Sequence, residues 1–171
     1  TQAAFLAACF SLPGGILRAL GGWLSDKYGA YKVTWAVMWV CWVAFFILSY
    51  PQTQMQIQTV DGVMQFNIGL NVVMFTAVLF VVGIAMAIGK ASVFKFIADD
   101  FPEDMGTVSG IVGLAGGLGG FMLPILFGLL VDFTGIRSSS FMLLYGCVCI
   151  SLIWMHFSFK PLQKKELLKQ N

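Results

Sequence analysis

Apolar residues fall into long stretches with few charges, at Phe5 to Leu24, Val33 to Tyr50, Asn71 to Ile97, Thr107 to Val131 and Phe141 to Phe159, and short polar segments separate them. Each stretch is close to the roughly 20 residues that a helix needs to cross a bilayer, so each predicts one spanning helix. Helices suit hydrocarbon because they satisfy their own backbone groups, whereas a barrel would show alternating segments of about ten residues, and no such alternation appears. The expected fold class is an all-α integral membrane bundle. Residues 51 to 70 are expected as a polar connection and residues 160 to 171 as a tail.

Composition agrees. Apolar residues make up 58% of the chain and charged residues 11%, against roughly a quarter charged in a soluble domain, so a water-facing surface cannot be built from it. A net charge of +2, with no basic stripe interleaved with aromatics, gives no ground for a nucleic-acid partner. Thr1 opens directly into an apolar run with neither an initiating Met nor a basic leader, and an odd number of helices makes an incomplete porter. Further helices are therefore expected upstream. No internal repeat is visible in what is present.

Positive charge sets the expected sidedness. The segment Ser25-Asp26-Lys27-Tyr28-Gly29-Ala30-Tyr31-Lys32 is short and basic, while 51 to 70 holds no Lys or Arg. The first is expected in the cytoplasm, the second outside, and alternation then places 98 to 106 inside, 132 to 140 outside and the Lys-rich C-terminal tail inside. Arg137 is the one dissenter outside.

Arg18 lies about six residues, or ~9 Å, inside the cytoplasmic end of its stretch. Near a helix centre an Arg costs about 2.5 to 3.5 kcal/mol on insertion scales, so it is expected to face the bundle interior or a water-filled cavity. Its neighbours at i−4, i−3, i+3 and i+4 are Gly14, Gly15, Gly21 and Gly22, and four bare positions predict a groove around the guanidinium. Pro13, one turn away, interrupts the backbone ladder, as lining helices tolerate. An anion site is the expectation, and an Arg snorkelling to the interface is the alternative.

A second feature is the run from Gly106 to Pro124. Gly106, Gly110, Gly113, Gly117 and Gly120 are spaced 4, 3, 4, 3, which puts them on one helix face. Close packing of the small-x-x-x-small kind is the plainer expectation. The other is a face that slides, or offers backbone and Ser109 to a small ligand. Counted from the cytoplasmic side, Ser109, Gly110 and Gly113 stand near the depth of Arg18.

Lys95 is expected to snorkel, Lys90 is a weaker second attractor for an anion, and His156 is expected at the interface. Cys9, Cys41, Cys147 and Cys149 all fall in apolar stretches without C-x-x-C spacing, so they are expected as buried small hydrophobes. No metal-ligand set, cofactor loop or enzyme motif is expected: Gly89-Lys90 lacks phosphate-loop spacing, and Gly116 to Gly120 follows no strand. No Asp or Glu stands mid-span, so a carboxylate proton relay is not expected in this part.

The stretch Arg18-Ala19-Leu20-Gly21-Gly22-Trp23-Leu24-Ser25-Asp26-Lys27-Tyr28-Gly29 resembles the loop motif of the major facilitator superfamily, where a glycine, an acid and basic residues join two helices on the cytoplasmic side. Ser109 to Phe121, then Pro124 and Gly128-Leu129-Leu130-Val131-Asp132-Phe133-Thr134-Gly135, resembles the nitrate signature of its nitrate/nitrite porter family. The resemblance covers essentially the whole chain. It implies the eighth through twelfth helices of a twelve-helix porter, with the seventh helix and the N-terminal half elsewhere. It further implies that Arg18 holds the anion with an arginine on the second helix of that other half.

The expected substrate-binding residues are thus Arg18, Ser109, Gly110, Gly113 and Gly117. Structural and gating roles fall to Gly14, Gly15, Gly21, Gly22, Asp26, Gly106, Gly116 and Gly120. The implied function is transport of nitrate or nitrite across the cytoplasmic membrane by alternating access, as proton-coupled import or as exchange. Its partners would be the anion, the bilayer and the N-terminal bundle. A porter for another small anion and a non-transporting membrane piece remain as alternatives.

Overall fold

The computed structural model describes the backbone of residues 16–59 and 62–170. Helix α1 runs over 16–28 and α2 over Ala30–Ser49; strands β1, Thr53–Thr59, and β2, Gly62–Ile68, follow; then come α3, Val72–Asp100, α4, Met105–Thr134, and α5, Ser139–Gln170. Among the described residues α2, α3, α4 and the Ser139–Phe159 part of α5 are long and apolar enough to cross a membrane. The chain is a multi-pass helical membrane bundle, as its apolar stretches lead one to expect. The first stretch, from Phe5, lies partly outside the described residues.

The core sits between α2, α3 and α5. Cys41, Ala44, Phe45 and Leu48 of α2 meet Val82 and Ala85 of α3, and Leu144, Tyr145 and Val148 of α5 close over them. Small residues at these places let the helix backbones approach, the usual route to tight packing where lipid removes a hydrophobic drive. At Gly89 of α3 a Cβ would stand 2.9 Å from Val37 Cγ1 of α2. One helical turn away, Ser92 is wholly buried. Its Oγ lies 2.8 Å from Thr34 Oγ1 across the α2–α3 seam and 2.9 Å from the Gly89 carbonyl, while Thr34 Oγ1 lies 2.9 Å from the Ala30 carbonyl.

Two hydroxyl protons serve those three contacts, so only two are made at once. Replacing Ser92 with Ala should therefore cost little, about 0.6 kcal/mol as for a typical interhelical hydrogen bond in membranes. Denaturation of the variant beside the wild type checks this.

Aromatic rings stitch α2 to α5. Trp42 stacks on Tyr145 at 5.4 Å and Tyr31 on Phe159 at 4.0 Å, while Phe75 of α3 meets Phe141 edge-on at 5.8 Å; offset and edge geometries suit the ring quadrupoles. Trp42 Nε1–H donates to Cys149 Sγ. The cysteines correct their expectation in part. Cys41 is buried, but Cys149 is half-buried and holds an indole, and Cys147 is exposed, because the α5 face that carries it turns away from the core. His156 is exposed beside Trp35, at 6.1 Å between rings.

The connections are shorter than hydropathy suggests. The segment 25 to 32, expected as a loop, is helix on both sides of Gly29, which bends the chain alone with φ 88°, a conformation that side-chain-bearing residues rarely adopt. At the other end of the bundle, Gly135 closes α4 at φ 67° and its N–H donates to the Val131 carbonyl at 2.8 Å, the left-handed helix stop for which glycine is suited. Residues 51 to 70 also differ from expectation: they contain an antiparallel hairpin pairing Thr53 with Ile68 through Thr59 with Gly62. Gln54, Gln56 and Gln58 do alternate with Met55 and Ile57 in sequence. That period lasts only one short strand, below the roughly ten residues of a membrane strand. C-terminally, the expected tail continues α5 as helix to Gln170.

Helix α4 stands apart. None of its residues is buried, and it continues through Pro124 without ending.

Candidate functional site

Arg18 is on α1 and exposed. Neither ion pair of the described residues involves it, so its charge has no acidic partner there. A guanidinium set in the membrane portion of a helix calls for a counter-charge or water.

The glycines around it divide into two kinds. At Gly21 an added Cβ would stand 2.9 Å from Ala91 Cβ and 2.9 Å from the Ile88 backbone, whereas at Gly22 nothing lies within 4 Å. Gly21 is therefore the point where α1 presses on α3, and it does not widen a groove around Arg18. Successive helical residues turn by ~100°, which sets Arg18 about 60° from Gly21 and about 40° from Gly22. The arginine thus stands between the α1–α3 seam and an open flank. Gly14 and Gly15, the other two expected neighbours, lie outside the described residues.

Asp26 closes the Gly29 end of this seam. Its Oδ1 is 3.0 Å from Lys95 Nζ, which also lies 3.1 Å from Asp99 Oδ1. Lys95 was expected to snorkel; two carboxylates hold it at the end of α3, because α1 runs one further helical turn past Leu24 and carries Asp26 to it. Asp99, four residues on from Lys95, was the only local sign of the pairing. Lys27 lies 5.3 Å from the Trp23 ring and 5.5 Å from the Tyr28 ring, within cation–π range. Lys90 is exposed.

On α4 the expected close packing of the glycine face is not made by the described residues. A Cβ at Gly106, Gly110, Gly113, Gly116, Gly117 or Gly120 would meet nothing within 4 Å. The bundle of α2, α3 and α5 is already closed by its own aromatic and small residues, which leaves this face bare. Ser109 turns its hydroxyl back to the Met105 carbonyl of its own helix. Ser109 bonds only within its own helix, and no Cβ added at these glycines would come within 4 Å of Arg18 among the described residues. The two parts of the expected site are each accessible and are not brought together. Among the described residues no cluster of His, Cys, Asp or Glu could hold a metal ion.

Comparison with known proteins gives these features a setting. At 39% identity over 168 residues the chain is similar to the "Probable nitrate/nitrite antiporter NarK1" of Thermus thermophilus, covering 96% of this chain and 38% of the relative. It is also 29% identical over 150 residues to the "Probable nitrate transporter NarT" of Staphylococcus aureus strains JH9 and MRSA252, covering 88% of this chain and 33% of each relative. The chain thus spans little more than a third of the length of these relatives. No solved structure matches it. The family model described as Major Facilitator Superfamily matches residues 1–171, the same family whose loop motif Asp26 and its flanking glycines resemble. The chain belongs to the Major Facilitator Superfamily.

Proposed function

We propose that this chain forms the C-terminal bundle of a secondary transporter that moves nitrate and nitrite across the cytoplasmic membrane by alternating access. Arg18 carries the reading: it is a membrane arginine with no acidic partner among the described residues, in a chain similar to relatives named for nitrate and nitrite. A guanidinium presents a planar fork of N–H donors, which fits a planar oxyanion better than an ammonium point charge does. The remaining length of the relatives supplies an N-terminal bundle, and the bare face of α4, from Gly106 to Gly120, meets it beside Ser109. Gly21, through its contact with Ile88 and Ala91, and Asp26, through Lys95, fix α1 against α3 during the rocking of one bundle on the other. The chain has no Asp or Glu within the middle of its apolar stretches, which favours anion exchange over a proton relay within this bundle. The C-terminus and the Asp26–Lys95 pair face the cytoplasm in this arrangement.

The test is flux in proteoliposomes holding the full-length protein. Nitrate uptake should be suppressed by nitrite and chlorate and left alone by organic anions; suppression by organic anions only would assign a different substrate. In the same assay Gly113→Leu should fold and reconstitute normally, because among the described residues a Cβ at Gly113 would meet nothing within 4 Å. Its flux should nevertheless fall by about tenfold or more, as expected if the face approaches another helix closely. Full activity of this variant would show that the face is open in the working protein.

A further inference from the structure

At the end of the bundle opposite Asp26 and Lys95 lies a second polar feature. A cavity of about 620 Å³ opens between the C-terminal end of α2, the start of α3 and the turn joining α4 to α5. Its polar lining comes from Tyr50, Gln52, Arg137 and Ser138, and its apolar lining includes Leu48, Phe75 and Phe141. Two of these groups lack partners. Arg137 is exposed and takes part in neither ion pair of the described residues. The adjacent Ser138 Oγ also has no hydrogen-bond partner among the described residues, but it is enclosed by protein and does not open to the cavity.

Size and chemistry select the occupant. A nitrate-sized ion would leave most of 620 Å³ unfilled and would have no use for the leucine and the phenylalanines. An amphipathic molecule with one anionic end fits both halves. Position agrees, since this is where α2 ends at Ser49 and α3 starts at Val72, the level at which spanning helices reach lipid headgroups and where Tyr and Arg anchor. The bias of basic residues toward the cytoplasmic side leaves Arg137 without a topological reason to be at this end.

We propose that this cavity seats one anionic phospholipid. The Arg137 guanidinium takes the phosphate oxygens in its fork. Tyr50 and Gln52 face the glycerol region, and the acyl chains descend along the partly buried Phe75 and Phe141. This assignment is independent of the identity of the transported ion.

Native mass spectrometry of the full-length protein, delipidated and then given phosphatidylglycerol or phosphatidylcholine, tests it. One phosphatidylglycerol should be retained at least tenfold better than phosphatidylcholine, and Arg137→Gln should erase the preference. Inorganic phosphate at millimolar concentration should not displace the lipid. Equal retention of the two lipids by the wild type would overturn the proposal without recourse to any variant. So would undiminished preference in Arg137→Gln, or displacement by inorganic phosphate, which would mark a site for free anions.

Discussion

Arg18→Lys in the full-length protein should lower nitrate flux in proteoliposomes by about ten- to a hundredfold while leaving expression and reconstitution unchanged. The positive charge survives the substitution, so long-range attraction of an anion into the membrane is kept. What is lost is the fork: a lysine offers a single point charge and no paired, coplanar donors to two oxygens. Hydrogen bonds to charged groups contribute about 1.5 to 3 kcal/mol, and each 1.4 kcal/mol is about tenfold in binding, which sets the range. The fold should not respond, since Arg18 is exposed and holds no partner among the described residues. Near-normal flux would remove Arg18 from the substrate path. Lys90 cannot substitute for it by the same reasoning, because it too presents only a point charge.

The second large effect concerns stability. Gly21→Leu should prevent the protein from accumulating in the membrane, or lower its melting temperature markedly, while Gly22→Leu next to it should behave as the wild type. A Cβ at Gly21 would stand 2.9 Å from the Ile88 backbone, and a helix backbone cannot give way as a flexible side chain can. Overpacking a formed contact costs about 1 to 3 kcal/mol, and the remaining atoms of leucine lengthen the clash. Relief requires α1 to leave α3, which would part Asp26 from Lys95 and move Arg18 at once. Gly22 has nothing within 4 Å, so its substitution controls for helix propensity and membrane insertion. Equal melting of the two variants would show that α1 does not lean on α3 at Gly21.

These two glycines also show where sequence stopped being informative. Both stand beside Arg18 in the helix, and spacing alone gives them one role; contact with Ile88 and Ala91, some seventy residues away, separates them. Hydropathy located the apolar helices because it reports what the bilayer tolerates. It misplaced their ends for the same reason: Ser25 to Tyr28 is polar and still helical, since a helix leaving hydrocarbon turns polar before it stops. The single-residue break at Gly29 depends on a backbone angle that no polarity pattern encodes. The hairpin was hidden by length, with alternation confined to seven residues in β1. Lys95 was legible as a charge near a helix end, but Asp26 reaches it only because α1 overshoots.

Helix α4 has a consequence for the order of assembly. Membrane proteins form in two stages, individual helices first being set in the bilayer and then associating. For α2, α3 and α5 the second stage can proceed among themselves, through Gly89, Ser92 and the ring stacks. For α4, with no buried residue and a glycine face that meets nothing among the described residues, it goes less far, since only slight contacts join it to α3 and α5. In that two-stage scheme the glycine face of α4 would be covered only after α2, α3 and α5 have closed on one another.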